Sequence, residues 1–483
     1  MDTAVFLAIL IPVGGSVLIG LTGHYPNLRE TITLLTASAL CVLVWQLVPD
    51  LLQGGRPGAT ILTPLPNLPL SLEVEPLGMM FALIASFLWV VTSIYSIGYM
   101  RGHHERNQTR FYVCFAIAIA SAMGVAFAGN MLTLFVFYEA LTLSTYPLVT
   151  HSGTEEAKRA GRLYLGLLLS TSIGLQLVAI IWTWALTNTL DFTPGGILQG
   201  KASSTVISVL FVLYMLGIGK AALMPLHRWL PAAMVAPTPV SALLHAVAVV
   251  KAGVFTILKV CVYIFGLDLL TKIGTRPWIL YLAGTTIIVA SLIAMTKDNL
   301  KARLAYSTIS QLSYVILGAL LANAWGVVGS GMHIAMHAFG KITLFFGAGA
   351  ILVAAHKTEI SEMDGIGRAM PLTMLAFLIG CLSVIGLPPM GGMWSKWYLA
   401  LGTLEAQQLP LLGVLLLSAL LNIAYLLPIP VRAFFCKPKE ANVSQSLHEA
   451  PLPCLIALVI TSMGCLALFF GSERLYDLIS SVL

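Results

Sequence analysis

Ionisable side chains occur inside stretches of this sequence that are otherwise apolar. Lys220 and Lys251 lie on either side of a break punctuated by prolines, and Glu139 lies within the apolar run Leu134–Leu141. A soluble core rarely tolerates such groups, whereas membrane proteins retain them where charge or protons move, at about 2.5–3.5 kcal/mol for each residue. The sequence therefore predicts a proton pathway. Its candidate members are Glu139, Lys220, His245, Lys251, His333, His337, Lys341 and Lys396.

Three of these residues share one spacing. His333, His337 and Lys341 follow one another at intervals of four, which places them on one helix face over about 12 Å. Histidine gains and loses a proton near neutral pH, so it suits the middle of a relay. A lysine beside a glutamate is also a proton site, because burial disfavours the ammonium and the carboxylate favours it. Glu139 is the predicted partner of Lys220.

Other groups leave alternatives open. His245 and Lys251 are six residues apart and would point about 120° away from each other on a regular helix. Either the helix is locally unwound or the two residues meet different partners. Lys259 lies nearer the end of its apolar run and either extends its amine to the membrane surface or joins the pathway. The hydroxyl-rich segment Tyr306–Ser313 could hold water at the same depth.

The elements that must position these residues follow from composition. The chain has 483 residues, of which 58% are hydrophobic and 10% are charged. Apolar runs near 20 residues, each able to cross the hydrocarbon as a helix, follow one another along the chain. We predict an all-α polytopic membrane protein, with the first span retained. The fourteen predicted spans are 3–22, 31–49, 77–99, 111–129, 131–150, 163–187, 204–236, 239–266, 277–296, 304–322, 325–355, 371–403, 411–435 and 451–471.

Spans 7 and 12 are too long for one straight crossing. Met224-Pro225 interrupts the first and Gly386–Gly392, which contains two prolines, interrupts the second, so both should be discontinuous helices. Because they are five spans apart, a five-helix unit repeated in tandem must insert the second time upside down. The predicted regions are 1–110 (three N-terminal helices), 111–266 and 277–435 (two inverted five-helix repeats) and 451–483 (a C-terminal helix).

Lysine and arginine counts predict the orientation. The loops after odd-numbered spans hold sixteen of these residues, including Lys439, and the termini and remaining loops hold five. The positive-inside rule then places the odd-numbered loops in the cytoplasm and both termini outside the cell membrane.

The sequence offers no pattern for a cofactor. Gly219-Lys220 and Gly340-Lys341 lack the remaining residues of a P-loop, and no paired histidines suggest haem. The seven cysteines stand singly, which favours packing over a metal or redox role. We therefore predict no cofactor and no metal, and any redox chemistry would belong to a partner.

Four motifs resemble one family. They are Lys220-Ala-Ala-Leu-Met-Pro-Leu-His-Arg-Trp-Leu-Pro, Ala-Pro-Thr-Pro-Val-Ser-Ala-Leu-Leu-His ending at His245, Ala-Tyr-Ser-Thr-Ile-Ser-Gln from Ala305, and His-Ala-Phe-Gly-Lys from His337. They are similar to the antiporter-like subunits of Mrp-type cation/proton antiporters, respiratory complex I and membrane-bound hydrogenases. The resemblance covers roughly residues 75–430. It implies fourteen spans, two inverted repeats and membrane-subunit partners.

The resemblance also implies roles for single residues. Glu139 matches the family's glutamate of the fifth helix and Lys220 its partner in the seventh. Lys251 matches the lysine of the eighth helix, and His333, His337 and Lys341 match the central relay. Lys396 matches the terminal lysine of the twelfth helix, where one complex I subunit has glutamate, so that subunit type is disfavoured.

The length of the chain favours the D subunit of the Mrp type, although Ser241–His245 is more similar to the A-type pattern. The expected function is proton translocation in a Mrp-like antiporter that exchanges protons for Na⁺ or K⁺. The alternatives are a redox-driven pump module of a complex I-like or hydrogenase assembly and a membrane scaffold that transports nothing.

Overall fold

Membrane-crossing helices make up most of the chain, since a backbone in hydrocarbon must satisfy its own hydrogen bonds. The computed structural model describes residues 2–66, 68–437 and 447–483, so Lys439 lies outside the described residues. Helical segments correspond to all fourteen predicted spans. Spans 1–6 are Asp2–Leu21, Pro26–Leu52, Pro76–Gly102, Gln108–Ala126, Met131–Val149 and Glu155–Thr187. Spans 8–11 are Thr238–Phe265, Arg276–Thr296, Leu300–Leu320 and Ala324–Ala355. Spans 13 and 14 are Leu409–Phe435 and Leu452–Phe470.

Spans 7 and 12 are broken, as predicted. Span 7 begins as Ser204–Gly217, passes through the short helix Gly219–Ala221 and resumes at Trp229–Ala232, followed by Ala233–Val235. Span 12 consists of Pro371–Ile385 and Gly392–Glu405. Within the described residues, eleven helices are long and apolar enough to cross a membrane, and the shorter apolar helices Ser204–Gly217 and Pro371–Ile385 are halves of the two broken spans. The predicted all-α polytopic fold is confirmed.

Contacts between loops agree with successive spans running in opposite directions. At one face, Arg101 at the end of span 3 pairs with Glu30 near the start of span 2, and Lys301 at the start of span 10 donates to the Ala236 carbonyl after span 7. At the other face, the loops after spans 4 and 6 meet in a bridge between Asn130 and Asp191. In these contacts odd-numbered loops meet odd-numbered loops and even-numbered loops meet even-numbered loops, as expected if successive spans alternate in direction and spans 7 and 12 are an inverted pair. The cytoplasmic location of the odd-numbered loops stays a prediction.

A β-hairpin between spans 2 and 3 packs on the loop after span 4. Its antiparallel strands are Gly58–Leu65 and Leu68–Glu73. The hairpin extends to the loop after span 4, where Phe127 accepts from the Glu73 amide at 2.7 Å. The all-α fold predicted from the sequence contains no strands, and the prolines at 64 and 69 argue against strands because proline cannot donate to a ladder.

Gly253 allows spans 7 and 8 to approach each other at the first break. A Cβ atom there would lie 2.8 Å from the Lys220 carbonyl oxygen and would overlap the peptide group that follows. We expect Gly253→Ala to displace Lys220 and to cost about 1–3 kcal/mol through overpacking. Thermal unfolding of the purified complex measures this cost. Gly413→Ala is the matched control, since its Cβ would meet no atom within 4 Å. Equal melting temperatures for the two variants would show that the close approach is not required.

Candidate proton pathway

The middle of the candidate site lies on span 11. The side chain of Asn323 caps this helix by accepting from the Gly326 amide at 2.8 Å. His333 and His337 lie on one face with their rings stacked at 5.8 Å, and both are buried. The spacing of four residues therefore brings the two imidazoles together.

Span 8 supplies the next member of the pathway. The Lys251 Nζ lies 2.6 Å from His337 Nδ1, and both side chains are buried. Span 8 belongs to the first predicted repeat and span 11 to the second. This hydrogen bond therefore joins the two halves of the protein through a pair of groups that can share a proton.

On its other side, His333 leads towards span 12. Its Nδ1 lies 2.9 Å from Ser395 Oγ, and its ring stacks on Tyr314 of span 10 at 5.3 Å. The neighbouring Lys396 donates to the carbonyls of Val384 and Ile385, each at 2.8 Å, and its Nζ lies 5.2 Å from the Tyr314 ring centroid. These carbonyls end the first half of span 12, where the last carbonyls of a helix have no partner within it. The break in the helix thus provides acceptors for the ammonium of Lys396.

Lys341, one turn beyond His337, points towards span 10. Its Nζ donates to Ser307 Oγ at 2.6 Å, and Ser307 hydrogen-bonds the Tyr425 hydroxyl at 2.8 Å. The hydroxyl of Tyr425 in turn donates to Asn422 of span 13. The hydroxyl-rich segment Tyr306–Ser313 therefore provides a direct ligand for a buried lysine.

Glu139 and Lys220 make no direct ion pair in this conformation, although the Glu139 carboxylate is near enough to act on the charge of Lys220. Lys220 is fully buried, and its Nζ donates to the Tyr138 carbonyl at 2.7 Å and to Thr142 Oγ1 at 2.6 Å. The amine also lies 3.1 Å from the centroid of the Tyr138 ring. Both carboxylate oxygens of Glu139 are shielded, and neither has a hydrogen-bond partner among the described residues. Span 5 thus holds Lys220 through neighbours of Glu139, because carbonyl, hydroxyl and ring supply the negative potential that an ammonium needs.

His245 is buried without joining this series of contacts. A π-helical turn, Leu243–Val247, precedes the helix Val249–Lys259, so span 8 is irregular between His245 and Lys251. The His245 ring packs on Phe345 at 4.7 Å, and neither ring nitrogen has a partner within the described chain. Both alternatives raised by the six-residue spacing are therefore realised, since the helix is irregular and the two side chains contact different groups.

Several polar atoms along the pathway are not satisfied by the described protein atoms. They include Nε2 of His333, Nε2 of His337, both ring nitrogens of His245 and both amide atoms of Gln311. Buried polar groups are almost always hydrogen-bonded, and internal water is the usual partner where protein atoms are not. The interior of the protein is therefore suited to water between its titratable groups.

Lys259 does not extend to the membrane surface, so that interpretation is wrong. Its side chain is buried and lies 3.3 Å from Glu75 Oε1 in an ion pair. Glu75 is not among the residues predicted from the sequence; it precedes span 3 and caps it by accepting from the Leu77 and Gly78 amides. This buried pair lies apart from the candidate residues on span 11.

Three of the side chains that contact the candidate lysines and histidines were not among the residues predicted from the sequence. They are Thr142, Ser395 and Tyr314, each a hydroxyl or ring partner of a predicted lysine or histidine. A signal existed for the first two. Thr142 lies three residues after Glu139 on the same helix face, and Ser395 is adjacent to Lys396. No pattern in span 10 distinguishes Tyr314 from a packing residue.

Comparison with known proteins gives consistent similarities. The family model described as "NADH:quinone oxidoreductase/Mrp antiporter, TM" matches residues 128–422, and "NADH-Ubiquinone oxidoreductase (complex I), chain 5 N-terminus" matches residues 64–112. NADH-quinone oxidoreductase subunit N of Desulforudis audaxviator is 29% identical over 84% of this chain and 83% of that protein. Hydrogenase-4 component B of Escherichia coli is 29% identical over 84% and 63%, respectively. A chain of the Mrp complex from Dietzia sp. DQ12-45-1b has the same fold, with a TM-score of 0.88 at 19% identity over 100% of this chain and 96% of that one.

Proposed function

The chain belongs to the NADH:quinone oxidoreductase/Mrp antiporter transmembrane family, and we propose that it is the proton-translocating membrane subunit of a multisubunit monovalent cation/proton antiporter of the Mrp type. The observation that carries this proposal is the 2.6 Å contact between Lys251 and His337. This contact supports the proposal because it joins a span of the first predicted repeat to a span of the second through two groups that can share a proton.

Proton movement along this series follows from the contacts. A proton on the Lys251 ammonium moves to Nδ1 of His337, which leaves a neutral amine and an imidazolium. The Nε2 proton of that imidazolium can then leave to water and pass to His333 or towards Lys341. Ser395 fixes the orientation of the His333 ring by its hydrogen bond at 2.9 Å. Lys396 would complete the route at the break in span 12.

The first half of the route begins near Lys220. The ammonium is held by Tyr138 and Thr142 in the conformation described, so it can alternate between this cradle and the carboxylate of Glu139. Such an alternation would change the proton affinity of Lys220, because a neighbouring carboxylate favours the charged amine. The exchanged cation would drive or be driven by this change.

A partner subunit is expected beside span 5. Val136 and Leu143, which flank Glu139 by about one turn, are 42% and 57% exposed. The two carboxylate oxygens of Glu139 are shielded, but the helix face beside them is open in the single chain, and a charge so close to lipid tails is costly. A neighbouring membrane subunit that covers this face and supplies a cation or donor would remove that cost. The multisubunit complex from Dietzia that contains a chain of the same fold is consistent with this arrangement.

A redox-driven pump module of a complex I-like assembly is the second candidate. The names of the relatives favour this second candidate, since the relative from Desulforudis audaxviator is named NADH-quinone oxidoreductase subunit N. In that case the same residues would move protons, and a partner would supply the electron transfer.

The deciding experiment uses the intact complex in proteoliposomes that contain a pH-sensitive dye. We expect an imposed Na⁺ or K⁺ gradient to move protons in the opposite direction without any electron donor. Proton movement that requires an electron donor and acceptor would replace the antiporter by the redox-driven pump. If an assembled complex moves no protons under either condition, both the antiporter and the redox-driven pump are overturned. That result would favour a scaffold.

A further inference from the structure

A second cluster of charged residues lies at the face of the even-numbered loops, outside the proposed pathway. It surrounds a cavity of about 240 Å³ whose lining includes Arg56, Glu73, Glu75, Lys259 and Tyr263. Arg56 is exposed and Glu73 is partly buried, whereas Glu75 and Lys259 are buried. The cavity therefore leads from the protein surface at the β-hairpin to a buried ion pair at the end of span 8.

The contacts of this ion pair use two of the three N–H bonds of Lys259. Glu75 is fixed, because Oε1 accepts from the Gly78 amide and Oε2 accepts from the Leu77 amide and from the Tyr263 hydroxyl at 2.7 Å. The Lys259 Nζ is 3.3 Å from Glu75 Oε1 and donates to the Ala128 carbonyl at 3.1 Å. An ammonium has three donors. One N–H of Lys259 is therefore unused by these two acceptors, and its neighbour in the cavity wall is the Phe192 ring, whose centroid lies 3.8 Å from Nζ.

The same helix connects the cavity with the proposed pathway. Lys251 and Lys259 lie eight residues apart in Val249–Lys259, on one helix face and separated by about 12 Å along the axis. Phe255 stands between them on that face. Its ring centroid is 5.5 Å from the Lys259 Nζ and 5.1 Å from the ring of Phe81 in span 3. An apolar ring in this position interrupts any continuous file of water between the two lysines.

We propose that the cavity is a proton-exchange mouth of the first repeat, in which Lys259 passes protons between Lys251 and the water at the hairpin face, and Phe255 separates the two lysines when the route is closed. In the outward step, an N–H bond of the Lys259 ammonium breaks and cavity water becomes hydronium. When Phe255 moves aside, the neutral Lys259 amine takes a proton from the Lys251 ammonium through water. One proton then moves from Lys251 to the cavity for each cycle, and the neutral Lys251 amine regains a proton from a His337 imidazolium across their 2.6 Å contact.

The mouth of the cavity is suited to receive the proton that Lys259 releases. Burial raises the pKa of Glu73, although Arg56 and Lys259 oppose this shift, so the carboxylate can take up a proton more readily than one in water. The proposal rests on the proposed function, because Lys251 must carry a proton for the mouth to exchange one.

The test compares wild-type complex with a Lys259→Met/Glu75→Gln double variant in proteoliposomes. A single change would leave a buried charge unpaired, which is strongly destabilising, whereas removing both charges of a buried pair is tolerated far better. We expect the double variant to assemble and to transport protons on the order of tenfold or more slowly, since a positioned proton-transfer group is lost. An assembled double variant that transports at the wild-type rate would assign the pair a purely structural role and overturn the proposal.

A second measurement does not depend on replacing the buried pair. Glu73→Cys places a thiol at the mouth, and a membrane-impermeant thiol reagent is applied from each side in turn, with wild-type protein as the control for the seven native cysteines. We expect modification from the hairpin side to slow proton transport. Modification at this position that leaves transport unchanged would overturn the proposal. If Lys251→Met abolishes transport while both tests of the mouth fail, the proposed function stands and the mouth alone is wrong.

Discussion

A Lys251→Met variant is expected to assemble normally and to lose proton transport by about two orders of magnitude, the contribution typical of a positioned proton-transfer group. Lys251 is 1% exposed and is the described contact of His337 Nδ1. Methionine has a similar length and an apolar side chain, so it fills the same buried site without a charge that needs compensation. The proton route between the two repeats would be cut, while packing would be retained.

The measurement is the rate of internal pH change in proteoliposomes after a cation or redox driving force is applied. Lys272→Met is the matched control, because Lys272 is an exposed lysine in the short helix after span 8. Transport by Lys251→Met near the rate of this control would contradict the role of the Lys251–His337 contact.

Arginine at the same position separates a proton carrier from a fixed charge. Its guanidinium keeps its proton at any pH at which proteins are folded. If Lys251 serves only as a positive charge, Lys251→Arg should transport far better than Lys251→Met. We expect both variants to be inactive, since neither can release and regain a proton.

The sequence predicts the architecture well because hydrocarbon leaves the backbone few choices. Apolar length defines the fourteen spans, and prolines identify the two broken helices, since each removes a backbone donor. The hairpin at Gly58–Glu73 was missed because its prolines hide the alternating pattern of a strand. The position of a span follows from local composition. The formation of this hairpin depends instead on its contacts with the loop after span 4, which lies far away in the sequence.

The candidate site was predicted in its members and not in all of its contacts. Charge in an apolar run is visible in the sequence, so Lys251, His333 and His337 could be found directly. The partner of each charge depends on packing between distant spans. Lys259 pairs with Glu75, which lies far away in the sequence, and no spacing rule could join them. The hydrogen-bond partners of Lys220 could not be predicted either. Span 5 was the expected partner helix, but Tyr138 and Thr142, which lie beside Glu139, accept from the Lys220 amine in this conformation.

The other large effect is expected for Glu139→Gln. In the described conformation, the carboxylate makes no hydrogen bond to a described residue, so the substitution removes no contact. It also replaces a shielded charge by a neutral group, which lowers the cost of burial. We therefore expect the thermal stability of the complex to be unchanged or higher. Proton transport should nevertheless fall by about tenfold to a hundredfold, because Lys220 would lose the carboxylate that changes its proton affinity.

This combination distinguishes transport from scaffolding. A group whose role is structural should lower stability or assembly when it is changed and leave the flux through assembled complexes intact. Glu155→Gln is the matched control, since Glu155 is an exposed glutamate that pairs with Lys158 at the start of span 6. Reduced assembly together with normal flux per assembled complex would assign Glu139 to the scaffold. Normal stability with slow flux would show that the Glu139 carboxylate acts on Lys220 during transport, although the two groups make no hydrogen bond in the described conformation.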